Sequence, residues 1–197
     1  MNKLLPYFNM SLNLLKKQLE EARVIHKGDY RYIINSICEQ EPPLDPKILV
    51  DCADKLIEKM DWKGTTKILT PEAMGIHIAT IISVKTDIPL IIATHRQKRI
   101  DSECQVQYEC GYEKGKLHFN SIFKNDKILI IDDLISTGGT ILALIEGLQK
   151  IGTSISDIGV IFNKVDYGGM NAIMKLNYKP KTLLNVKIED TVKVEID

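Results

Sequence analysis

Between Lys127 and Thr140, four consecutive aliphatic residues, Ile128, Leu129, Ile130 and Ile131, run straight into Asp132 and Asp133. A small-residue turn follows, Ser136-Thr137-Gly138-Gly139-Thr140. A strand with no polar alternation must be apolar on both faces, so it belongs inside a parallel sheet that helices cover on either side. The neighbouring sequence repeats the theme. Lys67 to Thr70, Pro89 to Ala93 and Ile158 to Phe162 read as further short buried strands, with Gly75 to Val84 and Gly138 to Ile151 as intervening helices. The expected fold class is α/β, built on a doubly wound parallel sheet.

The flanking segments are less regular. Leu12, Leu15, Lys16 and Leu19 have the spacing of an amphipathic helix, with Leu4, Leu5 and Leu14 packing beside it and Lys27-Gly28-Asp29 closing it. Tyr30 to Ile37 reads as extended chain. After the break at Pro42 and Pro43, Asp45 to Met60 is helical, and Leu183 to Ile188 and Val192 to Ile196 are strand-like. The polar stretch from His95 to Asn125 is too long for an ordinary connection, which makes it a lid or a small antiparallel hairpin.

A chain of 197 residues with 44% hydrophobic content fits one domain better than two. Lysine plus arginine equal aspartate plus glutamate at 26 each, so no overall field draws the molecule to nucleic acid or anionic lipid. No apolar run reaches the roughly 20 residues that span a bilayer. The opening MNKLLPYFNM is unlike a secretory signal, and the expected location is cytoplasmic. Cys38, Cys52, Cys104 and Cys110 have neither metal-ligand spacing nor the density of a disulfide scaffold, so they read as reduced thiols.

The chemistry concentrates in the segment from Ile128 to Thr140. In an open α/β sheet, ligands bind outside the carboxyl ends of the strands, where the acidic pair falls. Backbone N–H groups of Ser136 to Thr140, joined by the positive end of the following helix, suit a phosphate dianion. Thr137 and Thr140 add hydroxyl donors, and Gly138 and Gly139 let the main chain approach closely. Two adjacent carboxylates suit the vicinal hydroxyls of a ribose and help hold a divalent cation beside it. No lysine stands where a Walker A loop requires one, which argues against a P-loop nucleotidase.

This segment closely resembles the signature by which type I phosphoribosyltransferases bind 5-phosphoribosyl-1-pyrophosphate (PRPP). Glu72-Ala73-Met74-Gly75, the run Leu90 to Ile92 after Pro89, Gly111-Tyr112, Gly115, Asn120 and Lys27-Gly28-Asp29-Tyr30 extend the likeness over most of the chain. They are similar to the archaeal hypoxanthine/guanine phosphoribosyltransferase family, itself close to adenine phosphoribosyltransferase. The resemblance implies a single domain over 1–197, with a small hood from about 1–45 and 180–197 and a flexible lid over about 95–118. It implies transfer of a phosphoribosyl group to a purine, with release of pyrophosphate, in a Mg²⁺-dependent homodimer.

On this chain the resemblance gives Asp132 and Asp133 to the ribose and metal, and Ser136, Thr137, Gly138, Gly139 and Thr140 to the 5-phosphate. It gives Thr70 to Gly75, with Glu72, Ala73, Met74 and Gly75, to the pyrophosphate, and Arg96 to the catalytic lid, assisted by Lys98 and Arg99. The chain departs from the family pattern at Thr94-His95, where a basic pair is usual, and at Ile100-Asp101-Ser102, where a Leu-Pro-Gly turn is usual. Lys164, a donor only, suits the 6-oxo group of hypoxanthine or guanine, and Tyr167 either stacks on the base or caps its loop. His77 reads as a packed histidine. Adenine transfer, and a PRPP-sensing regulator without catalysis, stand as alternatives. The stretch before the first core strand leaves little room for a helix-turn-helix module.

Overall fold

The computed structural model describes residues 10–28, 30–110, 113–189 and 191–197. Leu4, Leu5, Asp29, Gly111 and Tyr112 lie outside the described residues. Helix α1 (Met10–Glu20) leads into the strands β1 (Val24–Lys27) and β2 (Tyr30–Ile33), which pair antiparallel. Helix α2 (Pro46–Lys59) starts where Asp45 accepts a hydrogen bond from Lys47 N at 2.8 Å, with Pro46 in the first turn, where its missing N–H costs nothing. Then come β3 (Lys67–Pro71), α3 (Gly75–Thr86) and β4 (Leu90–Ala93). The long polar stretch is a hairpin, β5 (Cys104–Cys110) against β6 (Glu113–Phe119). The chain closes with β7 (Lys127–Ile135), α4 (Gly139–Ile151), β8 (Ser154–Lys164), a single 3-10 turn Val165–Tyr167, α5 (Gly169–Met174), β9 (Lys181–Ile188) and β10 (Val192–Ile196).

Six strands form the central sheet in the order β10-β9-β8-β7-β3-β4, all parallel except β10. The apolar run in β7 divides between its faces as the pleat requires. Leu129 and Ile131 pack with α2 and α3 residues such as Leu56, Ile78 and Ile82. Ile128 and Ile130 face the opposite layer, with Leu144, Ile145 and Leu148 of α4. This is the doubly covered sheet that the sequence predicts.

Three segments differ from expectation. Tyr30 to Ile37 is not extended throughout, because the buried Asn35 side chain accepts from Ile37 N and Cys38 N at 2.9 and 3.0 Å and turns the chain after β2. The strand β7 continues through the acidic pair to Ile135 instead of stopping before it. The C-terminal strands, which the resemblance places in a hood, extend the central sheet, since Leu184, Val186, Val192 and Val194 are buried in its first core layer. The hairpin β1–β2 does cover the end of the sheet: Arg31 Nη1 donates to Ile188 O, and Arg31 N donates to the Tyr167 hydroxyl at 2.8 Å.

The hairpin β5–β6 is anchored at its base. Val106, Leu117 and Phe119 are buried in the same layer as α4, and Thr94 exchanges two backbone hydrogen bonds with His118, at 2.8 and 2.9 Å. Among the described residues, no helix is long and apolar enough to cross a membrane. Phe119→Ala is expected to lower stability by about 3–5 kcal/mol, the usual cost of truncating a buried phenylalanine, as measured by urea unfolding.

Candidate active site

From β3 the chain crosses through α3 to β4 on one side, and from β7 through α4 to β8 on the other, so the switch point lies between β3 and β7. The β3–β7 pairing stops at Leu69↔Ile130, whereas β7 stays paired with β8 as far as Ile135↔Asn163. Beyond Ile130 the two strands therefore part. A cavity of about 390 Å³ opens there, walled by Pro71 to Met74, Asp132 to Leu134 and Ser136 to Ile141.

Two helices begin on its wall without a side-chain cap: α3 after Met74 and α4 after Gly138. Their leading amides and dipoles make two separate places for anionic oxygen. The buried hydroxyls of Ser136 and Thr137, and of Thr70 below the first loop, find no partner among the described residues. Buried polar atoms are almost always satisfied, so the Ser136 and Thr137 hydroxyls on the cavity wall are free to donate to a ligand there. The loop before α4 is held from beneath by Gly169, whose N–H donates to Ser136 O at 2.9 Å. A Cβ on Gly169 would fall 2.2 Å from Ser136 O and 2.5 Å from Gly138 N, so only glycine lets α5 support this loop.

Between the two helix starts stands the acidic pair. Asp132 is buried, and its Oδ1 accepts from Asp133 N at 2.9 Å. Burial, and then the charge of Asp133, hold the Asp132 carboxyl well above the usual range. Asp133 Oδ2 accepts from the Cys38 thiol at 2.9 Å, and burial together with that carboxylate pushes the thiol well up. Cys38 is thereby held as the thiol, a hydrogen-bond donor to the pair. Glu39, beside it on the wall, is also raised, first by burial and then by Asp133.

At the hood end Lys164 is only 3% exposed, and its Nζ donates to Arg31 O. The ammonium stands 4.0 Å from the Tyr30 ring centroid and 4.6 Å from that of Tyr167. Burial, with the Arg31 charge adding to it, lowers its pKa to about 8.

Of the residues singled out from sequence, Glu72, Ala73, Met74, Asp132, Asp133, Ser136, Thr137, Gly138, Gly139, Thr140 and Lys164 share the cavity wall. Gly75 lies directly behind it, where an added Cβ would meet Thr70 Oγ1 at 2.3 Å and Asp132 Oδ1 at 3.0 Å. Arg96 and Tyr167 do not line the cavity. Arg96 is exposed, and its neighbour His95 takes the wall position. Tyr167 lies against the ring of Tyr30, centroids 4.8 Å apart, and holds the hood by its hydroxyl. Lys98 and Arg99 are exposed, and both donate backbone N–H groups to Glu103. His77 is packed as expected, its Nε2 buried and its pKa lowered mainly by burial.

Sequence reasoning put the segment around Tyr30 in the hood and Tyr108 within the lid without naming either as a site residue, and it did not place Tyr32, Asn35, Cys38, Glu39 or Phe162 at the wall. Only Tyr30 carried a signal, through its Gly-Asp-Tyr context. The others arrive by folding of segments far away in the chain.

Two uncapped helix ends thus flank a carboxylate pair at the switch point of a doubly wound sheet, the place where open α/β sheets take their ligands. The chain belongs to the phosphoribosyl transferase domain family, which matches residues 45–193. An HGPRTase-like protein of Halorhabdus utahensis is 38% identical over 186 residues, covering 94% of this chain and 97% of that one. The hypoxanthine/guanine phosphoribosyltransferase of Methanocaldococcus jannaschii is 39% identical over 177 residues, 90% of this chain and 96% of its own. Among solved structures, adenine phosphoribosyltransferase from Rhodothermus marinus superposes with a TM-score of 0.72 at 18% identity, over 89% of this chain and 98% of that one. At that identity the likeness is one of fold.

Gly169→Ala is expected to weaken binding of ribose 5-phosphate about 10-fold or more, equivalent to about 1.4 kcal/mol. Isothermal titration would measure this, with an unchanged circular dichroism spectrum showing that the fold is retained.

Proposed function

We propose that the protein is a purine salvage phosphoribosyltransferase that joins hypoxanthine or guanine to PRPP and releases pyrophosphate, forming IMP or GMP. The observation that carries the 6-oxopurine choice is the buried Lys164 ammonium at the hood end of the cavity. It has three N–H donors and no acceptor, so beyond the Arg31 carbonyl it serves a 6-oxo oxygen and opposes a 6-amino group. The hypoxanthine/guanine names of relatives near 38% identity favour the same choice. Adenine enzymes share the fold at lower identity.

In this reading the 5-phosphate sits on the amides of residues 136–140 with the Ser136 and Thr137 hydroxyls, and the ribose hydroxyls bond to Asp132 and Asp133. The pyrophosphate lies against the amides of residues 73–75. As the bond from C1′ to pyrophosphate breaks and a purine ring nitrogen forms the new one, its N–H proton passing to solvent or to the departing pyrophosphate, positive charge develops on the sugar and negative charge on the leaving group. The carboxylates face the first, and the fixed dipoles at the start of α3 face the second. The hairpin β5–β6 helps to wall the cavity and so limits access of water to the cationic sugar.

Among the described residues, no group of three or more His, Cys, Asp or Glu forms a metal cage. The hard oxygens of Asp132 and Asp133 fit Mg²⁺, which takes one or two carboxylates and completes its shell from substrate phosphates and water. Bound there, Mg²⁺ would neutralise pyrophosphate charge.

Pyrophosphate release from PRPP and Mg²⁺, tested separately with hypoxanthine, guanine, adenine and orotate, is expected with the 6-oxopurines alone. Asp133→Asn should reduce kcat/KM by about 10- to 100-fold, the equivalent of losing a hydrogen bond to a charged group, about 1.5–3 kcal/mol. Turnover with adenine alone would overturn the base assignment. PRPP binding without turnover of any base would favour a sensor.

Lys164 carries its charge below about pH 8 and loses it above. Affinity for a 6-oxopurine is therefore expected to fall as the pH rises through 8, and Lys164→Gln should flatten that profile. Titration of the base from pH 6.5 to 9.5, within about 1.5 units of the midpoint on either side, would show both effects.

A further inference from the structure

Along the cavity wall, Glu72, His95 and Tyr108 form one continuous chain of hydrogen bonds. Glu72 N donates to Ala93 O at 2.9 Å, which fixes the backbone of the loop before α3 to the end of β4. Its side-chain Oε1 accepts from His95 N at 2.5 Å and lies 2.6 Å from His95 Nδ1. His95 Nε2 lies 2.9 Å from the Tyr108 hydroxyl. All three residues face the cavity. With Nδ1–H given to the carboxylate, Nε2 of a neutral imidazole accepts from the phenol, so the carboxylate sets both the tautomer and the ring orientation.

The far end of the chain is equally well placed. Tyr108 is 7% exposed and stands opposite Gly115 in the β5–β6 register. A Cβ at Gly115 would fall 2.8 Å from Tyr108 Cε1 and 3.0 Å from its hydroxyl, so the ring lies across the bare backbone of its partner strand. The hairpin itself is anchored on α4 through Val106, Leu117 and Phe119. A rigid support thus reaches, through one phenol and one imidazole, the single carboxylate at the head of the loop whose amides begin α3.

We propose that His95 and Tyr108 are positioning residues for the pyrophosphate end of the site. Acting through Glu72, they hold the loop of residues 72–75 so that its amides meet the leaving group. The assignment rests on the reading of this cavity as a PRPP site, but not on which base is used. It also accounts for the departure at Thr94-His95: here the segment supplies a hydrogen-bonded brace instead of a pair of cations. Pre-setting the loop removes an ordering cost that binding would otherwise carry.

The test compares Mg²⁺-pyrophosphate with ribose 5-phosphate in isothermal titration of the full chain. Tyr108→Phe keeps the ring over Gly115 and removes only the hydroxyl, and His95→Ala removes the middle link. Both are expected to weaken pyrophosphate about 10-fold, or about 1.4 kcal/mol, and to leave ribose 5-phosphate within about 2-fold. His95→Gln, which restores a donor and an acceptor, should recover part of the loss. Unchanged pyrophosphate affinity in Tyr108→Phe, equal loss of both ligands, or a wild-type protein that does not take up pyrophosphate would each overturn the proposal. If wild type binds pyrophosphate with this pattern but turns over no 6-oxopurine, the base assignment fails and the positioning role stands.

Discussion

The strands β3 and β7 cannot stay paired beyond Ile130, and the site depends on that parting. Until then β7 is sealed by apolar side chains on both faces and by backbone pairing on both edges. Past it, only the β8 edge remains paired, and the next residues of β7 are two aspartates. A carboxylate pair here is costly, which is visible in the upward displacement of Asp132 by burial and by its neighbour's charge. The stability of the sheet behind it carries that cost. Ligand hydroxyls or a cation set against the pair would offset it.

Around this pair the anion sites follow from helix placement. A parallel sheet requires each crossover helix to start near the carboxyl end of a strand, so α3 and α4 bring their N-termini to the same edge as the acids. Neither start has a side-chain cap. In an ordinary helix that omission is a defect, while on a cavity wall it leaves donors for oxygen atoms of a ligand. Glycine at positions 75 and 169 then sets how closely the loops can be backed, with added methyl groups reaching 2.3 and 2.2 Å from their neighbours.

The hood and the hairpin complete the enclosure from opposite sides by different means. The hood is tied polar to polar, through Arg31 to Tyr167, Ile188 and Lys164. The hairpin is tied by apolar burial at its base and by the Glu72–His95–Tyr108 chain at the cavity. Each delivers to the wall side chains that local sequence gives no reason to put there.

What the sequence by itself determined was the order of strands and helices in the core, which short-range apolar pattern carries. The unbroken aliphatic run fixed β7 as a doubly covered strand, and the run of small residues after Asp132 and Asp133 marked the loop that opens α4, because glycine takes the left-handed φ found at Gly138 without strain. It also marked Lys164 at the end of β8. Tertiary structure decided which distant groups meet. Arg96, expected on the lid to meet the pyrophosphate, is exposed, while its neighbour His95 lines the cavity with its ring held by Glu72 and Tyr108 from two other segments. Tyr167 became a support for the hood, and the C-terminal strands became sheet edge, since their alternating apolar residues found a core face to cover. The reason is physical: periodicity reports which side of an element is buried, but not which partner buries it. Hydrogen bonds between residues far apart in sequence exist only once the core has set the distances.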